Sequence, residues 1–143
     1  MPSIVMAADA ASVILNGTPI TDFVAGDHIT LAFPNGLTNH IPAGNGGVNI
    51  QQRVDADVCD LTVRVQKYSA SDVFLNSATN SATPVVFKGS VRADYVREGA
   101  AAAEAYILEN GTIASRPQNT YNNQDGNNAM EYVLHFRRAQ RNL

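Results

Sequence analysis

The hydrophobic period of LTVRVQKYSASDVFLN, residues 61–76, changes halfway along, from two to roughly 3.6. Leu61, Val63 and Val65 alternate with Thr62, Arg64 and Gln66, which specifies a strand with one covered face. Ser69 then stands at a helix N-cap position with Asp72 three residues on, a capping-box-like arrangement in which each side chain satisfies a free backbone donor. Ala70, Val73, Phe74 and Ser77 share a face of the helix that follows. A helix of about two turns does not hold in isolation, so Val73 and Phe74 are expected to press against the sheet. That length argues for a plug on a barrel end or side rather than a layer of an α/β fold.

The rest of the chain reads as strand and turn. Asn16-Gly17 lies between two apolar runs in ASVILNGTPIT and predicts a two-residue hairpin turn. HITLAF alternates through Ile29, Leu31 and Phe33 and ends at Pro34, and VNIQQRV alternates through Val48, Ile50, Gln52 and Val54. In PVVFKGSVRADYV, Val85, Phe87, Val91 and Tyr95 fall on one face, with Gly89 marking a bulge or bend. A further strand is expected from about Ala103 through Tyr106, Ile107 and Leu108, entering a turn at Asn110-Gly111. AMEYVLHF closes the series, with Met130, Tyr132, Leu134 and Phe136 inward. The expected fold is mainly β: a β-sandwich or partly closed β-barrel with one short flanking α-helix, the strands pairing mostly in sequence.

Residues 34–47, PNGLTNHIPAGNGG, are rich in Pro, Gly and Asn and are expected to form a long loop of about 14 residues. Such a loop either serves an interface or is a disordered surface connection. RPQNTYNNQDGNN, residues 116–128, is a second polar loop, and RRAQR near the end is either a solvated tail or a clasp between subunits.

Length bounds the chain to one domain, 1–143, with 45% hydrophobic and 16% charged residues to build a core of ordinary size. No apolar run approaches the roughly 20 residues of a membrane span, and the start, MPSIVMAADAAS, lacks the layout of a secretory signal. The single cysteine, Cys59, excludes an intramolecular disulfide, fits a reducing cytoplasm, and reads as a small buried apolar residue. The formal charge of −3, with scattered Lys and Arg, argues against a dedicated DNA-recognition module.

Residues with chemistry are not grouped for it. His28, His40 and His135 lie in different elements and make no metal-type pair. Asp55, Asp57 and Asp60 lack the Gly and distal Glu of a calcium loop and read as a solvated turn. GNGG lacks the Lys-Ser/Thr of a phosphate loop, and no serine sits in Gly-x-Ser-x-Gly. The Asn-Gly-Thr triplets at Asn16 and Asn110 match a glycosylation acceptor by letter and are read as turns. No cofactor, metal or catalytic residue is expected.

Taken in order, the N-terminal hairpin, the long Gly/Asn loop, the joint LTVRVQKYSASDVFLNSA, the strand VVFKGSVRADYV and the final MEYVLHF resemble bacteriophage tail tube proteins of the small type found in contractile-tailed phages. The resemblance implies subunits joined by their sheets into six-membered rings, stacked into a hollow virion tube that conducts phage DNA without binding it specifically. It maps the ring-to-ring loop onto residues 34–47, with Asn39, His40, Ile41, Pro42 and Asn45 as contacts. It also places residues 1–10 and 137–143, including Arg137 and Arg138, between subunits. Arg64 and Lys67, outward on the strand–helix joint, are further interface candidates. The implied partners are the protein itself, tail sheath, baseplate and tail terminator, with no membrane, and the implied place is the virion tail, assembled in the host cytoplasm.

Three rivals stand beside this. Tube proteins of type VI secretion or other contractile injection devices share the architecture. A carbohydrate-binding or other β-module would need aromatic platforms, whereas the chain has no Trp and five Tyr. A small β-barrel enzyme is the third.

Overall fold

Period-two patterning yields most of the computed structural model, which describes residues 3–121, 123 and 129–143. In chain order the elements are β1 (Ile4–Val5), β2 (Ala11–Leu15), β3 (Thr18–Ile20), β4 (Ile29–Ala32), β5 (Thr38–Pro42) and β6 (Val48–Gln52). They continue with β7 (Cys59–Gln66), α1 (Ala70–Thr79), β8 (Phe87–Arg97), β9 (Ala100–Ile113) and β10 (Ala129–Asn142). Asn16 and Gly17 take φ of 51° and 78°, the left-handed pair that a tight turn between β2 and β3 requires. Met1, Pro2 and most of the tip of the polar loop 116–128 lie outside the described residues.

All but two strands form one antiparallel sheet in the order β3-β2-β8-β9-β10-β7-β4, with β1 beside β8. Hairpin neighbours pair in sequence, but β8 also lies against β2, and β10 returns to lie against β7. The sheet is not closed into a barrel. It folds over, so that Val13, Leu15 and Ile20 from one end share a core with Leu61, Val63 and Val65 from the other. Phe87, Val91, Leu108, Met130, Tyr132, Leu134 and Phe136 complete that core, as the alternation predicts for β8 and β10. This is the expected mainly β sandwich with one short helix. After β3, Gln66 N donates to Asp22 O at 2.8 Å and Val24 N to Arg64 O at 3.2 Å, carrying the chain across to the edge of β7.

The helix begins where expected but turns a different face inward. Ser69 Oγ accepts from Asp72 N at 3.3 Å, and Asp72 Oδ2 accepts from Tyr68 N at 2.9 Å. Ser71 and Leu75 are buried and Phe74 packs edge-on against Phe87 at 6.1 Å, whereas Val73 is 61% exposed. The reason is a polar anchor: Ser71 Oγ accepts from Thr21 N at 2.8 Å, which rotates Leu75 rather than Val73 into the core.

Four further expectations are corrected. Residues 34–47 are not all irregular: Thr38–Pro42 is a strand, paired with Val48–Gln52 from Thr38↔Gln52 to Pro42↔Val48. Turn-rich composition hid it, because both faces are wet and no apolar alternation is needed. β9 starts at Ala100, not 103, after a turn at Glu98-Gly99 whose φ values are 51° and 79°. Asn110-Gly111 is not a hairpin turn. β9 runs through it to Ile113, and because Phe87 pairs Gly111 while Gly89 pairs Leu108, Glu109 and Asn110 together face Lys88 as a bulge. RRAQR is not a loose solvated tail but the continuation of β10, paired with β9 as far as Asn142↔Ala105.

Candidate assembly surface

The surface follows from how β5 and β6 leave the main sheet. They form a two-stranded ribbon of their own. Across it, Pro42 faces Val48, His40 faces Ile50 and Thr38 faces Gln52 on one side, while Ile41 faces Asn49 and Asn39 faces Gln51 on the other. The tip is closed by Ala43 N donating to Gly47 O at 2.8 Å and Gly47 N donating to Asn45 Oδ1 at 3.2 Å. No Asp, Glu, Lys or Arg occurs between Thr38 and Gln52. Ile41, Val48 and Ile50 are 49%, 55% and 58% exposed, so the ribbon carries apolar side chains into water on both faces. An unsupported two-stranded ribbon is marginal in water, and an uncharged apolar one is the kind of surface that another protein covers.

The five expected contact residues of the 34–47 segment, Asn39, His40, Ile41, Pro42 and Asn45, therefore sit together on this projection. Val48 and Ile50 belong with them and were missed. Their signal lay in VNIQQ, an uncharged alternating run facing an uncharged partner.

The other expected contacts lie elsewhere and are engaged within the chain. Arg64 stands on the outer face of β7 directly opposite Glu131, with Nε 4.0 Å from Oε2. Lys67 donates from Nζ to Thr120 O at 2.9 Å and lies 4.6 Å from the centroid of the Tyr121 ring. Arg137 and Arg138 are both exposed although adjacent in one strand, because the inward set of β10 steps from Phe136 to Ala139. Arg137 donates to Val54 O at 3.4 Å, and Arg138 Nε is 3.9 Å from Asp57 Oδ2.

A second exposed apolar region lies at the opposite edge, where Ile4, Val5 and Met6 run beside Val96 and the Ala-rich start of β9. Glu104 and Arg141 form an ion pair there that holds the Arg141 guanidinium above its ordinary pKa.

Polar groups with chemical potential are tied up. His135 Nδ1 lies 2.5 Å from Asp60 Oδ1, and His28 Nδ1 lies 3.0 Å from Gly26 O. Among the described residues no three His, Cys, Asp or Glu are grouped to hold a metal. Burial pushes the Cys59 thiol up to about 11, with the Asp60 charge adding, so it is an uncharged, enclosed group at neutral pH. Among the described residues no helix is long and apolar enough to cross a membrane.

No protein-family model matches the sequence, and no curated protein matches it. Solved structures do match in fold. A chain of the extended sheath–tube complex of the PVC extracellular contractile injection system superposes with a TM-score of 0.63 at 10% identity, over 96% of this chain and 90% of that one. A chain of the cap that terminates the tube of the anti-feeding prophage gives 0.66 at 11% identity, over 96% of this chain and 90% of that one. A chain of the extended PVC sheath/tube terminator gives 0.64 at 11% identity, over 96% of each. The chain thus has the tail-tube-like fold found in contractile injection systems.

Proposed function

We propose that the protein is a structural subunit that polymerises, as stacked six-membered rings in the count the tail-tube resemblance implies, into the inner tube of a contractile tail. The observation that carries this is the uncharged β5/β6 ribbon, a projection whose apolar side chains have no cover within the chain's own sheet. Ribbon and N-terminal edge are different surfaces at different places. A contact between unlike patches on successive copies does not close a two-fold dimer but continues as rings or filaments. Repetition then multiplies a modest contact along the tube.

In a phage the tube would conduct DNA, and the net charge of −3 suits a conduit that must release phosphate rather than hold it. The second reading, a tube or terminator subunit of a contractile injection system rather than of a phage tail, is favoured by the matched structures, which come from such assemblies. Sheath, baseplate and terminator are the partners under either reading.

Negative-stain electron microscopy of the purified protein tests the proposal. Rings or tubes with a continuous lumen are expected. A strict monomer at high concentration overturns it. Nuclease-protected DNA recovered with native tubes separates the phage reading from the injection-device reading.

A further inference from the structure

The ribbon leaves the main sheet on two legs, residues 33–37 and 53–58, and Asp55 holds both. On the returning leg its carboxylate accepts two bonds from the Arg53 guanidinium, at 3.0 Å from Nε and 2.9 Å from Nη2. On the outgoing leg its backbone carbonyl accepts from Asn35 Nδ2 at 3.1 Å. Arg53 N also donates to Leu37 O at 2.9 Å, joining the legs to each other.

The turn that carries Asp55 is itself fastened to β10. Ala139 N donates to Asp57 O at 2.9 Å, Arg137 Nη2 donates to Val54 O at 3.4 Å, and Ala56 is buried. Arg138 approaches Asp57 from the same strand. The Arg53 and Asp55 side chains are 32% and 42% exposed, so the pair adds little to global stability, but its two-pronged geometry fixes direction.

A ribbon on two unbraced legs samples many directions, and each contact it makes on assembly must then offset the lost conformational entropy. We propose that Asp55 is a positioning residue that fixes the direction in which the β5/β6 ribbon projects, and that Arg137 and Arg138 support this brace from β10 rather than touching a neighbouring subunit. The proposal rests on the reading of the ribbon as the contact arm between subunits.

The test uses the full chain below its assembly concentration. Asp55→Ala and Arg53→Gln should lower backbone order parameters across residues 38–52 from the rigid value of about 0.85 towards 0.6, leaving β7 and β10 unchanged. Both should raise the critical concentration for assembly about tenfold, and the exchanged pair Arg53→Asp/Asp55→Arg should recover part of both effects. Arg137→Gln should move the same order parameters. Unchanged ribbon order in Arg53→Gln overturns the brace, and loss of assembly in Arg137→Gln with ribbon order intact overturns the role given to Arg137. Deleting residues 39–50 separates the two ideas. Tubes that form without them defeat the arm reading, whereas abolished tubes alongside wild-type behaviour of Asp55→Ala and Arg53→Gln defeat the brace alone.

Discussion

Tyr132 Oη donates to Asp72 Oδ1 at 2.6 Å, tying the N-terminal end of β10 to the first turn of α1. The same carboxylate accepts from Tyr68 N, so one side chain starts the helix and docks it on the core. Desolvation first, and then the Asp72 contact, hold the Tyr132 phenol above its ordinary pKa. Tyr132→Phe keeps the buried ring but removes the donor to a charged acceptor. It should cost about 1–3 kcal/mol in urea unfolding, without change in assembly of the folded protein. A loss below about 0.5 kcal/mol would mean that water replaces the hydroxyl at no cost.

The helix face is decided by a pair of truncations. Leu75 has no exposed surface, and Val73 is mostly in water. Leu75→Ala should cost about 2–5 kcal/mol and Val73→Ala less than about 0.5 kcal/mol, measured by thermal or chemical unfolding. The reverse order would restore the face expected from the sequence.

That helix shows what was legible and what was not. Cap, start and strand-to-helix joint depend on neighbours in sequence, and Ser69 and Asp72 announce them. Which face turns inward depends on Thr21, whose amide selects Ser71 from 50 positions away. The same contrast runs through the strands. Leu61, Val63, Val65 and the even positions of β10 from Met130 to Phe136 alternate because one side is covered. β5 has no covered side and so left no period to read. For the candidate surface, Asn39 to Pro42 and Asn45 came from the resemblance, while the Asp55 brace, an ion pair within one leg joined to the other through the Asp55 backbone carbonyl, left no pattern in the letters.

Gly111 marks another position where local letters mislead. Asn-Gly usually signals a turn, yet here glycine is required because the Phe136 ring occupies its side-chain space. A Cβ on Gly111 would lie 2.2 Å from Phe136 Cε1. Gly111→Ala should destabilise by about 1–3 kcal/mol, and adding Phe136→Leu should make the alanine better tolerated in a double-mutant cycle. Purely additive effects would remove the packing explanation.

The ribbon's apolar side chains should matter for assembly and not for folding. Val48→Lys with Ile50→Lys places two cations on one exposed face of β6. The monomer's unfolding free energy should shift by less than about 0.5 kcal/mol, while tube yield by sedimentation and electron microscopy falls to background. Normal tubes from this variant would show that the face stays in water.

Acid should release the ribbon before it unfolds the sheet. The two bonds from Arg53, with the charges of Arg53 and Arg137, hold the Asp55 carboxyl below its ordinary value of 3.8. The unfolded chain therefore binds the proton first as pH falls, so the brace is at full strength above that value and is lost as pH drops through the lower, folded one. Amide signals of residues 38–52 should stay unchanged from neutral pH down to the ordinary carboxylate range and broaden below it. Asp55→Asn should remove that step. A ribbon that loosens near neutral pH would mean that a group other than Asp55 holds it.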